Sequence, residues 1–189
     1  MQRRNLVWAI AAFAVGGFAL TGCSTSGEPD MARRQSIDTE VDQTLNKLYT
    51  TVPGSRELAG KAKGVLVFPS VVEAGLIVGG QHGDGALRVG GSTVGYYSTS
   101  AASFGLLAGA QSKALIFMFM TQDALDQFRN SEKEWTAGAG ASVAVMKTGA
   151  NAAIDTATTN APVEAIVMTN SGIMGDLSVQ GTKVSRLKI

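Results

Sequence analysis

A chain of 189 residues, 45% hydrophobic and 16% charged, has enough apolar side chains for one globular core and too few residues for two ordinary domains. Its formal net charge of +1 supplies no general field to attract nucleic acid, so no nucleic acid is expected and any anionic surface must be met by a local patch. One cysteine excludes an internal disulfide and any multi-cysteine metal site, and no metal or other cofactor is expected.

The chain opens with Arg3 and Arg4, an apolar run from Leu6 to Leu20, and Leu20-Thr21-Gly22-Cys23. A charged start, a short apolar run and small residues before a cleavage point are the parts of an export signal. The run is shorter than the roughly 20 apolar residues a spanning helix needs, which argues against a retained transmembrane anchor. Its last four residues resemble the bacterial lipobox. That resemblance implies a diacylglycerol on the Cys23 thiol, cleavage before it, and an acyl chain such as palmitate on the new amino terminus. Several acyl chains, at about 0.8 kcal/mol per buried methylene, anchor a protein far better than one.

Arg3-Arg4-Asn5-Leu6-Val7 also looks like a twin-arginine signal, so the export route stays open. Ser24 follows the cysteine where an Asp tends to retain such lipoproteins at the inner membrane, which favours the outer membrane. The expected organisation is a signal peptide over 1–22, a lipidated tether over 23–35 and a single domain over 36–189, facing the periplasm from the cell envelope. Without residues 1–22 the chain keeps 14 Lys and Arg against 15 Asp and Glu, so the processed protein is close to neutral.

Ser24 to Asp30 has the polar, Gly- and Pro-containing composition of a flexible spacer. Ile37, Val41, Leu45 and Leu48 recur at helical spacing, with Ser36 placed to cap the helix. Asp38, Glu40 and Asp42 fall on its other faces, where a membrane-surface helix would carry Lys and Arg, so the helix is expected to pack on its own domain. Pro53-Gly54 breaks the chain before a short helix within Ser55 to Lys63.

Gly64 to Phe68 is a continuous apolar run stopped by Pro69, as expected of a strand buried on both faces. Gly75 to Gln81 and Ala86 to Gly90 flank His82-Gly83-Asp84-Gly85, which is predicted to be a tight hairpin turn. Short strands are expected at Val94 to Tyr97 and Phe104 to Ala110, and Ala114 to Met120 is the expected central strand. Thr121 should cap a helix with Leu125 and Phe128 facing inward. Period-two alternation predicts strands through Ala139, Ala141, Val143 and Val145, and from Ile173 to Gln180. Asn170-Ser171-Gly172 would join Val163–Thr169 to the last of these as a hairpin, and Lys147 to Pro162 reads as a loop. The sum is an α+β fold, N-terminal helices followed by a mainly antiparallel, curled or barrel-like sheet. A membrane barrel would need aromatic girdles, which 6% aromatic residues do not supply.

His82 is the one histidine available to a hydrolase triad, and neither a G-x-S-x-G elbow nor a Walker A loop is present. Carboxylate-only catalysis would fall to pairs such as Glu73 and Asp84, which nothing in the pattern singles out; the protein is not expected to be an enzyme. The glycines around His82 could form an anion nest, yet Asp84 places a negative charge there and no helix N-terminus follows. Two basic groups remain as candidates for a lipid headgroup: Arg56, Lys61 and Lys63 before the first strand, and Lys183, Arg186 and Lys188 at the end of the chain, with His82 as a further candidate.

From about Leu58 to Lys188 the chain resembles the SYLF domain, found in bacterial lipoproteins and in eukaryotic actin-patch and endocytic proteins. The residues that carry the resemblance are Ala62-Lys63-Gly64-Val65, Phe68-Pro69, Glu73-Ala74-Gly75, Gly79 to Gly85, Phe104-Gly105, Gly109-Ala110-Gln111, ALIFMFMTQDALDQF, Gly138 to Ala141, and Gly172 to Ser178. The resemblance implies lipid binding, with phosphoinositide preference in eukaryotic members and actin contact in some. An export signal removes this chain from cytosolic actin. The expected partners are therefore the membrane through the anchor and a phospholipid or other anionic lipid, the alternative being a structural module that binds an envelope protein.

Overall fold

The structure, a computed structural model, describes residues 28–75, 78–104, 110–131, 133–140, 142–146, 161–169, 172–173 and 179–189. The expected signal, Cys23 and the first part of the tether lie outside the described residues, as do 147–160 of the expected loop and 174–178 of the last expected strand.

Helix α1 runs from Glu28 to Thr51, so it begins well before the periodicity predicts and takes in part of the expected spacer. Pro29 is in its first turn, where a missing N–H leaves no helical bond unmade. Ser36 is consequently inside the helix rather than at its cap, and its hydroxyl donates to Glu40 Oε1 at 3.1 Å. Ile37, Val41 and Leu48 are buried and Leu45 packs against them, which is the predicted apolar face. Helix α2, Ser55–Lys61, follows a break in which Gly54 has φ 85°. The buried Ser55 hydroxyl donates to the carbonyls of Leu48 and Val52, adding to the backbone bonds those carbonyls already accept where α1 ends.

Strand β1 is Gly64–Gly75 and does not stop at Pro69. Its register slips between Phe68 and Val71 against one neighbour and between Val67 and Val72 against the other. A bulge is where a sheet tolerates a residue with no N–H to donate, so Pro69 bends the strand instead of ending it.

Strands β2, Val78–Val89, and β3, Ser92–Phe104, form a long hairpin. His82-Gly83-Asp84-Gly85 is not its turn: His82 pairs with Ser100, Asp84 with Ser98 and Gly85 with Tyr97, all in mid-strand. The turn is Gly90-Gly91, with φ of 58° and 84°, the positive pair that a two-residue hairpin loop requires. The glycines inside β2 answer a different demand. A Cβ at Gly83 would lie 2.5 Å from the Ser70 carbonyl oxygen, and one at Gly85 would run into the Val67 carbonyl and the Phe68 ring, because the bulge of β1 presses onto them.

Strand β4, Ala110–Phe119, is central as expected, and the expected strand over Phe104 to Ala110 supplies only the ends of β3 and β4, with 105–109 outside the described residues. Helix α3, Gln122–Arg129, is capped by Thr121, whose hydroxyl accepts from the Ala124 N–H at 3.2 Å. The remaining strands are β5 (Trp135–Thr136), β6 (Val143–Val145), β7 (Val163–Thr169), β8 (Gly172–Ile173) and β9 (Lys183–Arg186). Among the described residues of the alternating stretch beginning at Ala139, only Val143–Val145 is a strand, since Gly138 and Gly140 turn the chain with φ of 85° and 86°. The β7–β8 hairpin forms as expected but pairs Met168 with Ile173 and Thr169 with Gly172, so Gly172 belongs to the strand and not to the connecting loop.

The sheet order is β5-β9-β3-β2-β1-β4-β7-β6, with β8 beside β7 and one parallel pair, β6 with β7. It is an α+β fold whose sheet curls strongly into a half-barrel. One face carries Leu66, Phe68, Phe117, Phe119 and Trp135 and is covered by α3; the other carries Val65, Val67, Ile116 and Ile166 and lies against α1 and α2. The first face is filled by rings, with Phe128 4.9 Å from Tyr97 and from Phe119 and 5.4 Å from Trp135 between centres. Among the described residues no helix is long and apolar enough to cross a membrane.

Candidate functional site

Where α1, α2 and the β2–β3 turn meet, they leave a cleft of about 290 Å³. Its walls are Leu45 and Tyr49 from α1, Ala59 and Gly60 from α2, Val65 from β1 and the Gly90-Gly91 turn, with Asp42 and Arg88 at one side. The three cations before β1 stand beside these lining residues along the chain. Arg56 lies over the Tyr49 ring at 4.5 Å, Lys61 pairs with Glu57 at 2.8 Å, and Lys63 is exposed while its N–H holds the Phe119 carbonyl at 2.7 Å. Burial pushes the Tyr49 phenol up against the opposing charge of Arg56, so it enters the cleft wall protonated.

The cleft depends on how α1 is docked, and that is done by groups the sequence reading left facing solvent. Arg88 Nη2 is 2.8 Å from Asp42 Oδ1 and 3.3 Å from Asp38 Oδ1. Asp38 also accepts from the Thr93 hydroxyl at 2.6 Å and from the Tyr96 hydroxyl at 2.8 Å. Burial first, and then the bond to Asp38, hold the Tyr96 phenol above its ordinary range. Arg33 reaches Asp84 at 2.7 Å, and Arg34 donates to the Ile189 carbonyl oxygen. Asp38 and Asp42, four apart, could have been read as a pair aimed at one cation. Nothing local indicates that the cation is Arg88.

The other candidates are dispersed. His82 points outward, its side chain 69% exposed and its ring nitrogen 3.7 Å from Asp84. Glu73 and Asp84 serve different partners, Lys113 at 2.9 Å and Arg33. Lys183 pairs with Glu134 at 2.9 Å, Lys188 is exposed, and Arg186 borders a crevice on the ring-filled face. Strands β2 and β3 lie between β9 and β1 in the sheet order, so the strands next to the two basic groups are not neighbours. Arg129, which borders the same crevice as Arg186, was missed because it ends a helix whose pattern reveals only its apolar side. Among the described residues no group of three or more His, Cys, Asp or Glu is placed to hold a metal ion.

Residues 100–188 match the family described as Ysc84: Las17-binding protein actin regulator. No curated protein matches the chain. The match begins inside β3, so the lining of the cleft precedes it, whereas α3, β5 and β9 fall within it.

Proposed function

We propose, on the premise that this chain belongs to the Ysc84 (SYLF-domain) family through residues 100–188, that it is a non-catalytic lipid-binding protein of the bacterial envelope. In this reading Cys23 carries the lipid anchor, the domain faces the periplasm from the outer membrane, and the cleft takes part of an anionic phospholipid. One observation carries it: a cleft of about 290 Å³ has mainly apolar walls, with Arg56 stacked on its lining Tyr49 and Lys61 and Lys63 adjoining its lining residues in the chain. Apolar lining with a few convergent polar groups is what a small ligand needs, and the exposed cations supply the attraction for a headgroup phosphate. Because the sheet face behind α3 is packed with rings, lipid is held at the surface and not inside the sheet. The anchor keeps a weakly binding domain at the membrane, which raises its effective concentration there. The Las17-binding and actin-regulating description is the family's; an exported chain would not meet cytosolic actin.

The test is flotation of protein beginning at Ser24, which retains every described element, with phosphatidylcholine vesicles containing or lacking phosphatidylglycerol. Binding is expected to require the anionic lipid and to fall with salt. Gly60→Leu should weaken it, because a Cβ at Gly60 meets nothing within 4 Å and a larger side chain fills the cleft without displacing its walls. Flotation insensitive both to Gly60→Leu and to neutralising Arg56, Lys61 and Lys63 would sink the reading.

A second reading, a module for an envelope protein, has its own observation. Val72, Ala74, Gly80, His82, Ser100 and Ala102 are exposed cross-strand neighbours that form an uncharged stretch of sheet. A cross-linked envelope protein together with failed flotation would favour it.

A further inference from the structure

Arg129 ends α3 and Arg186 ends β9, and the two border one crevice of about 100 Å³ on the ring-filled face of the sheet. Phe128 and Trp135 line it as well, together with Tyr97, the cross-strand partner of Arg186. Five other cations, Arg33, Lys61, Arg88, Lys113 and Lys183, are each matched to a carboxylate. Among the described residues neither Arg129 nor Arg186 has such an ion pair, although both are close enough to bear on the Tyr97 phenol. Burial, the larger influence, keeps that phenol protonated against their charge, so it remains a donor.

We propose that this crevice is an oxyanion site that takes one phosphate group between Arg129, Arg186 and the Tyr97 hydroxyl. Guanidinium forks bind phosphate oxygens in pairs, and two forks with a phenol offer more donors than a carboxylate has oxygens to accept. The aromatic lining excludes water beside the anion and strengthens each bond to it. The crevice is too small for a whole lipid, so the group bound is the phosphate of a headgroup or of a soluble monoester. The site lies across the sheet from the cleft and within the part of the chain matched to the family, and it stands or falls independently of the cleft.

Titration calorimetry on the full chain in detergent, with inorganic phosphate and with glycerol phosphate, tests it. One phosphate per chain is expected. Arg129→Gln and Arg186→Gln should each weaken binding about tenfold or more, as expected for loss of a charge-assisted bond. Lys47→Gln, on the exposed side of α1, should leave it unchanged. Thermal melts without phosphate report whether each variant folds, and Arg186→Lys, which keeps the charge, should recover part of the affinity.

Vesicles containing phosphatidic acid separate the two sources. Binding to them that the double glutamine variant loses supports the site and assigns a lipid, while loss confined to glycerol phosphate supports it and assigns a soluble monoester. Absence of phosphate binding, or phosphate binding that the folded double variant retains, overturns the proposal.

Discussion

Glu164 has no exposed surface, and among the described residues neither of its carboxyl oxygens has a hydrogen-bond partner. It sits on β7 between Met118 of β4 and Ala144 of β6. Burial pushes its pKa up from the ordinary 4.5, so between the unfolded and folded values the folded protein holds a proton there that the unfolded chain has released. The stability this gives is complete below the unfolded value of 4.5 and is lost as pH rises through the folded one. Glu164→Leu is therefore expected to stabilise the protein at about pH 8 by roughly 1–3 kcal/mol, and to do less at about pH 4. Urea unfolding at the two pH values checks it, and a midpoint lowered at the higher pH would show that the carboxylate is matched after all. In the sequence, VEAIVMT reads as a strand with a polar second position. That β7 is covered on both faces depends on elements distant in the chain.

Strands β1 and β2 were legible as apolar segments, but not their length or the place where they turn. Glycine has two uses in a sheet, positive φ in a loop and room for close approach in a strand, and composition alone does not separate them. Gly90-Gly91 serves the first and Gly83 and Gly85 the second. The two-residue spacing of Gly83 and Gly85 was the available signal, since it puts both on one face of a strand. Gly85→Ala is expected to cost about 1–3 kcal/mol or more, because the Val67 carbonyl has to move. Gly80→Ala, in the same strand but with nothing within 4 Å of its Cβ, should cost far less. Comparable melting temperatures for the two variants would refute this account of the bulge. Helix α1 was half legible in the same sense. Its apolar face follows from spacing alone, whereas the docking of Asp38 onto Thr93 and Tyr96 links segments more than 50 positions apart.

At the scale of the whole molecule, fold class was readable because α1 and α3 carry helical spacing and β4 and β7 are continuous apolar segments of strand length. The cleft was not, since it forms where α1, α2 and a distant hairpin meet. That β2 and β3 lie between β1 and β9 is a property of strand order, which periodicity does not reveal.

The bonds that hold α1 also bear on how fast the protein forms. Its ties to Arg88, Asp84, Tyr96 and Ile189 close over 46, 51, 58 and 155 positions. Partners so remote along the chain meet late, because loop closure must be met before the contact returns anything. Refolding followed by Trp135 fluorescence, which reports the ring cluster, is expected to run ahead of α1 amide protection in pulsed hydrogen exchange. Simultaneous protection would place α1 in the first step instead. A helix that docks last leaves Ile37, Val41 and Leu48 uncovered in the nascent chain, which makes α1 the segment most in need of a chaperone before its partners arrive.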